Sequence, residues 1–227
     1  MSETMTKSVP DSAEAILAAI DDLAPEVSAR AADTEAARRL PPDLVEDLAR
    51  AGCFGMLLPR SHGGVEGTLA DQLRAIEALA RADGAVGWTV MIGSSAWVDM
   101  VHLPRATFDE LFAEAGTIVA GAISPSGSLE AGPEGLRVTG RWGFITGVEH
   151  ATWVGLNCLE VDEAGGPPGM RLAVVRREDV VIEDTWHVSG LRGTGVVACL
   201  PTSPPTGLTR FRAATSGESF ISSSRTA

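Results

Sequence analysis

Apolar residues recur at helical spacing through the first half of the chain and alternate through much of the second. Two architectures therefore follow one another. Ile16, Ile20, Leu23 and Val27 make the first helical stripe, with Asp11 and Glu14 spaced like a capping box before it and Pro25 marking a break or a second start. Pro41-Pro42 opens another helix, in which Leu44, Leu48 and Ala51 share a face and Gly52 supplies the stop. Phe54 to Leu58 reads as extended, and the glycines of the loop Pro59 to Gly67 imply positive φ. Thr68 and Asp71 cap the next helix, whose stripe is Leu69, Leu73, Ile76 and Ala80. Ala85 to Leu103 is apolar on most sides and predicts one buried, central helix; Thr89, Ser94, Ser95 and Asp99 interrupt it too often for a membrane span. A short helix carrying Phe108, Leu111 and Phe112 ends at Gly116.

The character changes at Thr117. Thr117 to Ile123 is a β-branched run, Ser124-Pro125-Ser126-Gly127 and Gly132-Pro133-Glu134-Gly135 are turn signals, and Leu136 to Thr146 alternates. On strict alternation Leu136, Val138, Trp142, Phe144 and Thr146 share one side, and Arg137, Thr139, Arg141 and Ile145 the other. Further strands are predicted over Trp153 to Val161, Met170 to Val175 and Val180 to Ile182, with an exposed hairpin loop over Asp162 to Gly169. The fold class expected is α+β: an all-α domain over 1–116, a small antiparallel β-barrel or sheet over 117–199, and an irregular, disordered tail over 200–227 that is rich in Ser, Thr, Pro and Arg.

Charge narrows the function. Eighteen Lys and Arg against 30 Asp and Glu give a formal charge of −12, which argues against nucleic acid and anionic membrane as partners. Cys53, Cys158 and Cys199 have no short spacing; they read as reduced intracellular thiols in a cytoplasmic protein, neither a disulfide frame nor a metal site. His62, His102, His150 and His187 show no paired metal-ligand spacing, so no metal is expected, and no Rossmann, Walker or nucleophile-elbow motif is present.

The aromatic strand is where chemistry is expected. Two large rings and a hydroxyl before a glycine suit a planar aromatic ligand, which needs apolar contact on its faces and donors at its edge. The same pattern also suits an ordinary buried strand with an incidental threonine, and alternation alone does not separate the two.

Arg141-Trp142-Gly143-Phe144-Ile145-Thr146-Gly147, with His150-Ala151 and Trp153 after it, resembles the flavin-contacting strand and turn of the acyl-CoA dehydrogenase superfamily. Leu57 to Gly67 resembles the glycine-pair loop of that family's helical N-terminal domain, and Arg81 to Trp88 its helix junction. Gly190-Leu191-Arg192-Gly193-Thr194-Gly195 is similar to a further family motif but meets Val196 where serine is usual. The RW before the strand, the HA-x-W after it and Glu66 behind the glycine pair lean toward the reduced-flavin (group D) monooxygenases, the oxygenase components of two-component hydroxylases. The likeness runs from about Arg30 to Gly195.

The resemblance implies a flavin-dependent oxidoreductase, a monooxygenase hydroxylating an aromatic or similar small molecule, with FAD or FMN as cofactor, bound in reduced form. It implies contacts from Ile123, Ser124, Gly127 and Ser128 to the ring edge and phosphate side, walls from Trp142 and Phe144, a hydroxyl or amide of Thr146 near the flavin N5, and close backbone approach at Gly147. A flavin reductase partner and the homo-oligomeric state of full-length relatives are implied as well. The alternatives are an FAD-dependent acyl-CoA dehydrogenase, whose usual T-E-P-x-A-G-S form Ser124 to Gly127 does not follow, and a non-catalytic flavin-binding remnant. The main acid or base belongs, in the family, to a C-terminal helical bundle; His150 is the one local candidate. Neither a further strand nor that bundle is expected beyond Gly195, so a truncated or frame-shifted product, inactive by itself, is the corresponding expectation.

Overall fold

The structure is a computed structural model that describes residues 10–114, 116–132, 135–160, 169–195, 197–201 and 213–214. Helix α1 (Ala13–Ala29) starts one residue later than the Asp11 box would have it: Ser12 is the N-cap, and its hydroxyl accepts from the Ala15 amide. Pro25 lies inside α1 without ending it. Helix α2 (Ala31–Ala37) follows, then α3 (Pro42–Arg50), which begins at proline because that position has no intrahelical acceptor to lose. Thr68 and Asp71 close a capping box on α4 (Leu69–Ala82), with Asp71 accepting from the Thr68 amide and Thr68 Oγ1 from the Asp71 amide.

Two helical expectations change. The buried face of α4 is Gln72, Ala75 and Leu79, whereas Leu69 and Leu73 are exposed. Nε2 of the buried Gln72 donates to Ser94 Oγ at 2.5 Å on the neighbouring helix, while among the described residues its Oε1 has no partner. The expected single helix from Ala85 is two, α5 (Gly84–Ser95) and α6 (Trp97–Met100). The hydroxyls of Ser94 and Ser95 bond back to the carbonyls of Val90 and Met91, a contact that bends helices, and the chain turns there. Helix α7 (Arg105–Leu111) completes this half. Ile16, Ile20, Leu44, Leu48, Leu79, Val86 and Val90 form its core, all fully buried. Among the described residues no helix is long and apolar enough to cross a membrane.

The helical half is followed by a β half, but its main sheet is mixed instead of antiparallel. Strand β1 (Val119–Gly132) pairs antiparallel with β2 (Gly135–Gly140) and parallel with β4 (Trp153–Glu160), which pairs antiparallel with β5 (Gly169–Arg176). A second, three-stranded sheet has the order β3 (Trp142–Ile145), β7 (Val197–Pro201), β6 (Val180–Glu183). Strand β7 lies where no further strand was expected, and the short β8 (Ala213–Ala214) adds to β5. The rest of the predicted tail and most of the predicted 162–169 loop lie outside the described residues.

Ser124-Pro125-Ser126-Gly127 is not a turn between strands. It lies within β1, where five steps from Ala122 to Gly127 face two from Leu156 to Cys158, so the intervening residues bulge from the sheet. Pro125 has no amide to give to the ladder, which suits it to a bulge.

The segment after β6 straps the two halves together. Asp184 pairs with Arg38 at the end of α2, Arg192 Nε lies 3.8 Å from Glu35, and Thr194 bridges to Arg39. A Cβ at Gly193 would stand 2.3 Å from Thr34 Cγ2, so only glycine lets the strap lie this close to α2.

Candidate functional site

Alternation fails on β3. Trp142 pairs with Cys199 and Ile145 with Val197, so three steps on β3 match two on β7 and one residue is extra. The bulge absorbs it at Phe144, which takes a left-handed backbone with φ 60°. Trp142 and Ile145 consequently both face the core, each fully buried, while Phe144 is thrown outward and is 79% exposed. The two rings expected to share a face are on opposite sides of the strand.

Trp142 is therefore not a wall for a ligand. Its indole N–H donates to the Asn157 carbonyl at 2.7 Å, and the ring lies against Gly127 and Gly140, where added Cβ atoms would stand 2.2 Å and 2.8 Å from it. That packing is a structural reason for glycine at 127. Asn157 Nδ2 in turn donates to the Ile123 carbonyl at 2.9 Å, so the buried indole supports the β1 bulge from behind. On that bulge Ile123 and Ser124 are exposed. Ser128, farther along β1, is half-buried with its hydroxyl 3.5 Å from Glu130 Oε1.

Thr146 follows the bulge and is 7% exposed. Its hydroxyl accepts from the indole N–H of Trp88 on α5 at 3.1 Å. Gly147 has φ 70°, and its amide donates to the Thr194 carbonyl at 3.2 Å, tying the turn to the strap. Phe144 meets Trp186 of the strap edge-on, with centroids 6.0 Å apart. Trp186 Nε1 donates to the carbonyl of Leu191, whose side chain lies beside Gly84 at the start of α5. Phe144, Trp186, Leu191, α5, Trp88 and Thr146 thus form a closed circuit of contacts from three elements. Trp88, Phe144 and Leu191 in this circuit are all exposed. Leu191, like Phe144, has a left-handed backbone, at φ 52°. Non-glycine residues held in this region carry strain, and such strain gathers at ligand-binding positions.

In the sequence Trp88 and Leu191 stand only within motifs, the helix junction and Gly190 to Gly195, and Trp186 only beside the short strand from Val180; none of the three carries a ligand role there. The lone aromatic ring of α5 is the available signal for Trp88; for the strap the Gly190 to Gly195 motif marks the segment but not its placement, which depends on contacts to α2.

His150 is not at this circuit. It lies in the short helical turn Val148–His150 at the seam with Arg39 and Leu40, where burial pushes its pKa below 6.5, helped by Arg39 and Arg177 and opposed by a hydrogen bond to the Leu40 backbone. A second polar cluster lies elsewhere: a cavity of about 390 Å³ is lined by Ser61, His62, Arg105, Asp109 and Phe112. There His62 Nε2 stands 2.7 Å from Asp109 Oδ1, which also accepts from Arg105 Nε at 2.6 Å. The Arg105 hydrogen bond and then that of His62 hold the Asp109 carboxyl below its usual range. Among the described residues no group of three or more His, Cys, Asp or Glu is placed to hold a metal ion.

Residues 10–103 match the family described as acyl-CoA dehydrogenase, N-terminal domain. The chain is 32% identical over 192 residues to the flavin-dependent monooxygenase oxygenase subunit HsaA of Mycobacterium tuberculosis, covering 84% of this chain and 48% of that one. It is 37% identical over 156 residues to the indole-3-acetate monooxygenase of Acinetobacter baumannii, covering 67% of this chain and 39% of that one. The crystal structure of the M. tuberculosis HsaA monooxygenase superposes with a TM-score of 0.78 at 30% identity, over 84% of this chain and 50% of that chain. XiaF from Streptomyces sp., solved in complex with FADH2 and glycerol, gives a TM-score of 0.80 at 26% identity, over 93% of this chain and 51% of that chain. The chain thus spans about half the length of the curated relatives it matches.

Proposed function

The chain belongs to the acyl-CoA dehydrogenase superfamily, and on that footing we propose that it carries the flavin-contacting face of a reduced-flavin monooxygenase, the oxygenase component of a two-component system. The observation that carries this reading is the β3 bulge. It spends a strained backbone to turn Phe144 outward beside a threonine whose hydroxyl is held by Trp88. A packed interior gains nothing from an exposed phenyl ring at positive φ; a planar cofactor gains an apolar face next to a polar edge contact.

The residues fit such a group in kind. Thr146 supplies a hydroxyl, Gly147 a backbone without a side chain, Phe144 an exposed ring, and Ile123 and Ser124 exposed residues on the neighbouring bulge. Trp142 and Gly127 support the strand from behind and are not part of this contact set. A bound reduced flavin would supply the electrons that activate dioxygen. The chain's own part is to hold the ring edge, cover one face and keep water from it. FAD and FMN both suit this contact set. An aromatic or similar small molecule as substrate, a separate flavin reductase and a cytoplasmic location belong to the same reading; the names of the relatives support the first two.

Anaerobic titration of the protein with reduced and oxidised FMN and FAD, followed by Trp fluorescence, tests it. Tighter binding of the reduced form is expected. No binding of any form, or bleaching of bound oxidised flavin by an acyl-CoA, would overturn the monooxygenase reading, the latter in favour of a dehydrogenase.

A further inference from the structure

We propose that Trp88 is a positioning residue for the edge contact made by Thr146: its indole N–H occupies an acceptor position of the hydroxyl and so turns the hydroxyl's own hydrogen toward the flavin. The inference rests on the flavin reading above and adds to it a direction and a cause. A threonine hydroxyl is a free rotor that can donate once and accept twice, so its role toward a ligand is open until a neighbour settles it. An indole N–H can only donate. With Trp88 Nε1 at 3.1 Å from Thr146 Oγ1, the threonine must accept on that side. Among the described residues its own hydrogen has no acceptor, and it is left for whatever binds at the ring-edge position.

Both partners are held firmly enough for this to matter. Asp83 caps α5, accepting from the Ala85 amide at 2.6 Å. A Cβ at Gly87 would stand 2.6 Å from Ala80 Cβ, so α5 is pressed directly onto α4 immediately before Trp88. On the other side, fully buried Ile145 anchors β3, and the Gly147 amide is bonded to the strap. Trp88 itself is 41% exposed, so its bulk is not there simply to fill the interior. A donated hydrogen bond from Thr146 suits an acceptor atom at the ring edge, such as an unprotonated ring nitrogen or a ring carbonyl.

The test compares Trp88→Phe, Thr146→Val and Thr146→Ser with the unaltered chain, using two readouts that do not depend on turnover. The first is the Trp88 indole N–H resonance in ¹⁵N-labelled protein. It should be shifted and slow to exchange with solvent in the unaltered chain and in Thr146→Ser, and should move and exchange faster in Thr146→Val. The second is the set of ring-nitrogen and carbonyl resonances of isotope-labelled flavin bound to each protein. Trp88→Phe should bind flavin about fivefold more weakly, the scale of one neutral hydrogen bond, with the edge-atom resonance shifted toward its position in Thr146→Val. If Trp88→Phe binds flavin with unchanged affinity and an unchanged edge resonance while Thr146→Val alters both, the positioning role is overturned and the flavin site stands. If no flavin binds to any of the four although the indole signal behaves as described, the site reading falls and the proposal with it.

Discussion

The indole nitrogen of Trp142 donates to the carbonyl of Asn157 at 2.7 Å from a ring with no exposed surface. Asn157 passes the restraint on to Ile123, so one buried ring fixes two strands and a bulge. Trp142→Ala is expected to cost about 3–5 kcal/mol of stability, by cavity formation and loss of this bond. Trp142→Phe should cost about 1–3 kcal/mol, mainly through the unpaired carbonyl. Urea unfolding followed by far-UV circular dichroism measures both.

Gly127 is the counterpart of that ring. An alanine Cβ there would stand 2.2 Å from Trp142 Cζ2 and 2.7 Å from the Thr139 carbonyl. Gly127→Ala should therefore destabilise the fold by about 3 kcal/mol. Combined with Trp142→Phe, which removes the colliding indole atoms but not the Thr139 carbonyl, the loss should be smaller than the sum of the two; a double-mutant cycle in urea gives the coupling.

His150 links stability to pH. Its folded pKa is depressed, by burial first and then by Arg39 and Arg177, so the unfolded chain binds the proton more readily. Its contribution is complete above the unfolded value of about 6.5. It is lost as pH falls from there toward the depressed folded value. Urea midpoints taken between pH 7.5 and pH 5.5, both chosen around that value, should fall more steeply for the unaltered chain than for His150→Asn. Equal slopes would show that the seam does not disfavour the charged ring.

Burial pushes the thiols of Cys53 and Cys158 up to about 12. The thiolate is the reactive form. In a Cys199→Ser background the native protein should thus give almost no reaction with a disulfide reagent at pH 8, and two equivalents in urea, one for each of these buried cysteines.

What the sequence made legible was local chemistry. Thr68 and Asp71 sit three residues apart and need no other part of the chain to form their capping box, and the helix-to-strand change near Thr117 follows from composition and period. What it hid depended on partners far away. Leu69 and Leu73 read as the inner face of α4 because leucine is apolar, yet Gln72 takes that place, where Ser94 on another helix accepts from its Nε2. Trp142 and Phe144 read as one face because strands alternate, yet the pairing of β3 with β7 absorbs an extra residue and separates them. The same register buries Trp142 and turns Phe144 outward, so the wall expected from Trp142 is not formed. Trp186 and Leu191 reach the circuit through a strap held by ion pairs to α2, by the Thr194 bridge to Arg39 and by the Gly147 amide.

On the proposed reading, the outward side of the β3 bulge, and not its buried side, meets the cofactor. Anaerobic titration of reduced FMN and FAD into Phe144→Ala, Thr146→Val and Trp142→Phe, each checked for a native circular dichroism spectrum, separates the two sides. Affinity should fall about tenfold for Phe144→Ala, a loss on the scale of one aromatic contact, and about fivefold for Thr146→Val, with folded Trp142→Phe close to the unaltered chain. Unchanged affinity in Phe144→Ala together with lost affinity in Trp142→Phe would contradict that reading.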